Sequence, residues 1–175
     1  MRGVLEFCIF LVLTGLGYYG ILNVENQVLY GIYFSFEALY DYTGWLAFVL
    51  LFWGLWLPNP YGKIFGVLAF VATCWHLLIF VHLDFGMNFS LIVQKIFSEK
   101  HLVVGSLSFL AMLFVFFVSS LQIFRYLRMN ILVYIAVFLG ALHIVMLQKV
   151  LSPLYYSVLG ITLCVLVFKI WKMAK

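Results

Sequence analysis

Apolar residues fill most of the chain in long runs, which short clusters of charged and turn-forming residues separate. A bilayer core about 30 Å thick takes roughly 20 helical residues at about 1.5 Å of rise each. Six runs come close to that length, and each predicts a membrane span: 4–22, 43–57, 64–83, 102–124, 130–147 and 153–171. The predicted fold class is therefore an all-α integral membrane protein, a six-transmembrane-helix bundle that forms a single domain over residues 1–175.

Proline marks two of the predicted span ends. Pro58-Asn59-Pro60 stops the second span because proline breaks a helix and favours a turn, whereas Pro153 is acceptable at the start of the sixth. The two longer connections, 23–42 and 84–100, are rich in aromatic and aliphatic residues with scattered charges. We expect them to lie along the membrane surface, where a partner could also dock.

Composition supports a lipid environment and excludes several classes of protein. Of the 175 residues, 67% are hydrophobic and only 9% are charged, and the mean hydropathy is +1.18. A soluble domain usually carries about 25% charged residues. A compact soluble enzyme, a nucleic-acid-binding protein and a disordered chain are therefore excluded.

The few charges predict the orientation of the bundle. With six spans both termini lie on one side of the membrane, and seven of the ten Lys and Arg residues fall on that side. They are Arg2, Lys63, Arg125, Arg128, Lys169, Lys172 and Lys175. Because basic residues favour the inner side, we expect both termini in the cytoplasm.

Two other patterns are weaker indicators of function than they first suggest. The segment Gly15–Gly20 has the glycine spacing of a dinucleotide-binding loop, but that loop works only between a strand and a helix. Inside an apolar span the same spacing indicates close helix packing. Cys8, Cys74 and Cys164 lie in different spans, so we expect buried small side chains rather than a disulfide framework or a zinc site.

Two of the four histidines lie deep inside predicted spans, where an ionisable or metal-binding group indicates function. His76 follows Lys63 by 13 residues, and His143 follows Arg128 by 15. At about 1.5 Å per residue, each imidazole lies roughly 20 Å from the cytoplasmic surface. Two imidazoles at one depth, on spans that run in the same direction, are suited to ligating a heme iron from both sides.

Small residues share a helix face with each of these histidines and would leave room for a flat ligand. They are Gly66, Ala69 and Thr73 beside His76, and Ala136 and Gly140 beside His143. Two other interpretations stay open. The small residues can serve helix contacts, with each histidine bonded to a nearby Ser, Thr or carbonyl, or the histidines can form a proton relay. Near the outer span ends we expect His82 and His101 to be hydrogen-bonded interfacial residues, with a quinol or partner contact as the alternative.

Several short motifs, taken in order, resemble the ferric-reductase-like transmembrane domain. They are Thr43-Gly44, the turn at Pro58, Gly66 followed by Ala72-Thr73-Cys74-Trp75-His76-Leu77, Leu83-Asp84-Phe85-Gly86, Val133-Tyr134 ahead of His143, and Ser152-Pro153 with Tyr155-Tyr156. Within that group the chain looks most like the MsrQ family, the heme-binding membrane subunits of bacterial periplasmic methionine-sulfoxide reductase systems. The resemblance covers about 43–172, and the first span matches by position only.

The resemblance implies a heme b electron-transfer subunit in the bacterial inner membrane. It implies that His76 and His143 are the axial ligands of the heme iron and that the chain has no catalytic residue of its own. The donor would be the quinone pool or a cytoplasmic flavin reductase, and the acceptor a periplasmic molybdenum-containing methionine-sulfoxide reductase. The family also allows for bound FMN. Asn130 stands where the family usually has a further histidine, so we expect one heme.

Two functions of other classes remain as alternatives. A non-redox membrane transporter or scaffold would need polar residues along a path, and the candidates are Gln122, Gln148, Ser119 and Ser120. A ferric-reductase-type protein would need a separate electron donor, because 175 residues that mostly form spans leave no room for a nucleotide-binding domain.

Overall fold

The computed structural model describes residues 2–29, 36–58, 60–121, 130–148 and 152–174. Within these ranges all regular secondary structure is helical, which confirms the predicted all-α class. The helices are α1 (Arg2–Leu29), α2 (Phe36–Gly54), α3 (Tyr61–Ile79), α4 (Phe89–Ser98), α5 (Lys100–Leu121), α6 (Asn130–Leu147) and α7 (Pro153–Ala174). A π-helical turn, Phe80–Asp84, continues α3.

Three helical segments in the described ranges are long and apolar enough to cross a membrane. They are Tyr61–Leu83, Lys100–Ser119 and Pro153–Met173. Length and composition therefore give the chain the character of a membrane protein. The described apolar parts of α1 and α6 are shorter, Cys8–Ile21 and Ile131–Leu147.

The first two helices differ in extent from the spans predicted for them. Helix α1 continues to Leu29 and α2 begins at Phe36, so much of the connection predicted over 23–42 is helical. Polar residues that end an apolar run do not end a helix when their helix propensity is adequate. Helix α2 ends at Gly54, before the predicted residue 57, because glycine weakens the helix and Pro58 disfavours a helical conformation just ahead of it.

The chain divides into two compact units. One comprises Met1–Val93 with Phe116–Arg125, and the other Gln94–Val115 with Tyr126–Lys175. A stack of phenylalanines forms part of the core of the first unit: Phe70 lies 5.2 Å from Phe10 and 4.7 Å from Phe116 between ring centroids. Phe70 is only 2% exposed, so this stack fixes α1, α3 and the end of α5 against one another.

Helix α1 also contacts α3 through Gly17. The indole of Trp75 occupies the space that a Cβ on Gly17 would need, and its Nε1 donates to the Leu13 carbonyl oxygen at 3.1 Å. The packing role predicted for the glycine-rich segment is thus confirmed at Gly17. A Cβ on Gly15 or Gly20 would meet no atom of the residues that the structure describes within 4 Å.

The core of the second unit lies where α6 meets α7. Val137 and Ala141 have no exposed surface, and Thr162 is 1% exposed. A hydrogen bond joins α5 to α6, since the buried Ser108 hydroxyl donates to the Ala136 carbonyl oxygen at 2.9 Å. Of the cysteines, only Cys74 is buried as predicted, whereas the other two are exposed.

Helix α4 falls within the connection predicted to lie at the membrane surface. Phe89, Val93 and Phe97 recur every four residues and are 68%, 54% and 79% exposed, while Ile92 is buried. A short amphipathic helix with an exposed apolar stripe is typical of a membrane interface.

Candidate functional site

His76 lies on α3 beside the start of α2, in the first unit. Its Nδ1 is 3.1 Å from the Tyr40 carbonyl oxygen and 3.3 Å from Thr43 Oγ1. The Tyr40 ring also packs against the imidazole, with 4.0 Å between ring centroids. A carbonyl oxygen can only accept, so we assign the proton of the neutral imidazole to Nδ1 and the lone pair to Nε2.

Thr43 supports this assignment. Its hydroxyl oxygen lies 3.0 Å from the carbonyl oxygens of Leu39 and Tyr40, to either of which it can donate. A hydroxyl that donates to a carbonyl keeps its lone pairs for a second contact, and here that contact is His76 Nδ1. Thr43 therefore acts as an acceptor toward the imidazole.

His143 lies on α6, in the second unit, with a matching arrangement. Its Nδ1 is 2.7 Å from the His101 carbonyl oxygen on α5. The two imidazole rings are 6.0 Å apart. By the same argument Nδ1 carries the proton, and Nε2 of His143 carries the lone pair.

A glycine one helical turn after the accepting residue makes each contact possible. Gly44 follows Tyr40 by four residues, and Gly105 follows His101 by four. In a helix the carbonyl of residue i points toward residue i+4, whose Cβ leans back over it. Glycine leaves the second lone pair of that carbonyl open to a side-chain donor. We call each set of accepting carbonyl, glycine and aromatic ring donor a ring clasp.

The ring clasp has a third occurrence that involves no histidine. Leu13 and Gly17 have the same four-residue spacing, and the ring donor is Trp75 Nε1. The clasp is therefore a general way in which this chain bonds an aromatic ring to a helix backbone. It fixes the orientation of a ring, and the chemistry depends on which ring it holds.

The small residues on the histidine faces have mixed surroundings. Within the described ranges Gly66 faces open space, since a Cβ there would meet no atom within 4 Å. Ala69 is 0% exposed and Ala136 is 1% exposed. Protein atoms cover these two alanines, so at both positions the small side chain serves helix packing rather than space for a ligand.

Both clasped histidines have the chemistry that an iron ligand needs. A metal-ligating imidazole usually donates its other ring N–H to a backbone carbonyl or a carboxylate, which fixes the tautomer and raises the basicity of the ligand nitrogen. His76 and His143 each make such a bond through Nδ1. Among the described residues no group of three or more His, Cys, Asp and Glu side chains could hold a metal ion, so a protein-only metal site has no support there.

His101 and His82 lie near the ends of their helices. His101 Nε2 is 3.2 Å from Glu99 Oε2, and Glu99 also pairs with Lys95. The hydrogen bond from Lys95, helped by the charges of Lys95 and His101, lowers the pKa of Glu99. The contact with Glu99 is of the hydrogen-bonded kind expected for His101. His82, in the π-helical turn, packs edge-to-face with Tyr18, with 5.7 Å between ring centroids.

Sequence reasoning found both histidines but missed the backbone that holds them. In the sequence Gly44 stands out only as part of a family motif. No sequence pattern singles out Gly105 or the accepting carbonyls of Tyr40 and His101. Of the other sequence candidates, Gln122 and the side chains of Ser120 and Asn130 lie outside the described residues.

Comparison of the chain with known protein families, characterised proteins and solved structures finds no match.

Proposed function

We propose that this protein is a heme b electron-transfer subunit of a membrane oxidoreductase system, with His76 and His143 as the axial ligands of one heme iron. One observation carries the proposal: Nδ1 of each predicted histidine lies within hydrogen-bond distance of a backbone carbonyl oxygen, which favours the tautomer with the proton on Nδ1. That tautomer puts the lone pair on Nε2, the nitrogen that would meet the iron.

The residues present suit electron transfer rather than oxygen chemistry. A bound heme supplies a one-electron couple, and imidazoles in both axial positions leave no open site on the iron. Carbonyl bonds to Nδ1 hold each ring in one orientation and increase electron density at Nε2. The protein would thus contribute ligands of fixed geometry, while the substrate chemistry takes place elsewhere.

The wider assignment rests on the charge pattern and on the family resemblance. We propose six spans with both termini in the cytoplasm and location in a bacterial inner membrane. Electrons would come from the quinone pool or a cytoplasmic flavin reductase, with FMN as the second cofactor that the family resemblance allows. They would pass to a periplasmic molybdenum-containing methionine-sulfoxide reductase.

The interpretation in which the histidines only join helices contains the same Nδ1 bonds. The two interpretations differ at Nε2. The ligand role requires this nitrogen to be basic and to face a metal, whereas the helix-joining role does not. A direct measurement of bound heme therefore separates them.

The test is the reduced-minus-oxidised absorption spectrum of the detergent-purified full chain, with heme content per chain. We expect a low-spin b-type spectrum at one heme per chain, lost or converted to high spin in His76→Ala and in His143→Ala. His82→Ala is the matched control, because it removes a histidine that is neither of the two proposed ligands, and it should keep the spectrum. A wild-type protein without heme, or a full signal in both ligand variants, would refute the proposal.

A further inference from the structure

We infer that Gly44 and Gly105 are positioning residues for the two heme ligands. By omitting a Cβ, each glycine exposes one backbone carbonyl that sets the rotation and the tautomer of an imidazole. The inference rests on the proposed function for the identity of the ligand. Its geometric part concerns only how the rings are held.

The surroundings of the two glycines point to the imidazoles rather than to close helix packing. The three atoms nearest to a Cβ on Gly44 all belong to the His76 ring, and those nearest to a Cβ on Gly105 all belong to the His143 ring. At Gly62, by contrast, the nearest atoms are backbone carbonyls. Gly62 lets two backbone segments approach, whereas Gly44 and Gly105 make room for a ring.

The two clasps differ in tightness, which predicts a graded response. A Cβ on Gly105 would lie 2.8 Å from both Cε1 and Nδ1 of His143, a separation that carbon atoms in proteins do not sustain. A Cβ on Gly44 would lie 3.1 Å from His76 Cε1, so a shift of a few tenths of an ångström suffices. The His143 ring must therefore leave its carbonyl, while the His76 ring needs only to tilt.

Loss of the carbonyl bond would change the ligand and not only the fold. A bond of 2.7 Å is short for an N–H donor, whose usual distance is about 2.9–3.0 Å, so the His101 carbonyl is a strong acceptor for His143. Weakening such a bond lowers the basicity of the ligand nitrogen and alters the potential of the iron.

The test compares Gly105→Ala and Gly44→Ala with wild type in the detergent-purified full chain. Heme affinity, the g-values of the ferric heme and its midpoint potential are measured, with helical content as a check on folding. Gly160→Ala and Gly20→Ala are matched controls, because a Cβ at either position would meet no atom of the described residues within 4 Å. We expect about 10- to 100-fold weaker heme binding in Gly105→Ala, the usual effect of losing such a partner. In Gly44→Ala we expect shifted g-values and a smaller loss of heme affinity than in Gly105→Ala. Both controls should have the heme affinity, g-values and midpoint potential of wild type.

Wild-type affinity, g-values and potential in both clasp variants would overturn the inference. If Gly105→Ala does not fold, the milder Gly44→Ala still decides the matter.

Nitrogen-15 NMR of histidine in heme-free protein reads the tautomer directly. There we expect protonated Nδ1 in wild type and loss of that preference in Gly105→Ala; an unchanged signal would contradict the clasp. A wild type that binds no heme would refute the proposed function and the ligand role, whereas the NMR result would still report on the geometry.

Discussion

Replacement of Gly17 by alanine is the sharpest test of how α1 is held against α3. The indole of Trp75 lies where the new Cβ would stand, and its Nε1 donates to the Leu13 carbonyl oxygen at 3.1 Å. The added methyl group and the ring cannot occupy the same space. We expect the ring to move away and the hydrogen bond to break.

Three contributions determine the size of the effect. Overpacking a well-filled contact costs about 1–3 kcal/mol. A hydrogen bond between membrane helices contributes about 0.6 kcal/mol on average. Alanine is better than glycine inside a helix by roughly 0.5–1 kcal/mol, which offsets part of the loss. We therefore expect Gly17→Ala to lower the free energy of unfolding by about 0.6–3 kcal/mol.

Gly20→Ala is the matched control, because it lies on the same helix and its new Cβ would meet no atom of the described part of the chain within 4 Å. It should keep the propensity gain of roughly 0.5–1 kcal/mol without a penalty. Both variants would be compared by unfolding in mixed micelles. Equal stability of Gly17→Ala and Gly20→Ala would refute the reasoning, because it would mean that the Trp75 indole does not rest on α1.

Two further predictions concern the α2 to α3 turn and the surface at the start of α5. Gly62→Ala should destabilise the protein, because its Cβ would lie 2.9 Å from the carbonyl oxygens of Gly54 and Leu57. Backbone atoms move less easily than side chains, so this crowding cannot be relieved at low cost. A thermal midpoint equal to that of wild type would contradict this prediction. The lowered pKa of Glu99 implies a stabilising contribution that is present above its ordinary pKa of 4.5 and is lost as the pH falls through the lower folded value. Glu99→Gln, which removes the ion pair with Lys95, should therefore lose less stability than wild type on acidification; parallel pH profiles would count against it.

The apolar runs determined the helical fold because local information is sufficient for it. A long apolar segment must satisfy its backbone hydrogen bonds internally in lipid, so it forms a helix whatever surrounds it. The predicted run 130–147 and helix α6 coincide for this reason, and both begin at Asn130. The ends of α1 and α2 were less predictable, since a change from apolar to polar residues marks the end of an apolar surface and not the end of a helix.

The sequence by itself determined the class of the chain and selected His76 and His143, because depth along a span follows from counting residues. Only the tertiary structure decided which nitrogen of each ring carries the proton. That choice depends on the carbonyls of Tyr40 and His101, which lie 36 and 42 residues away from their histidines. Every residue has a backbone carbonyl, so the sequence does not show which carbonyl will accept a bond from a ring. The glycine that exposes it cannot be told from other glycines in an apolar helix. The contact exists only once two helices have packed.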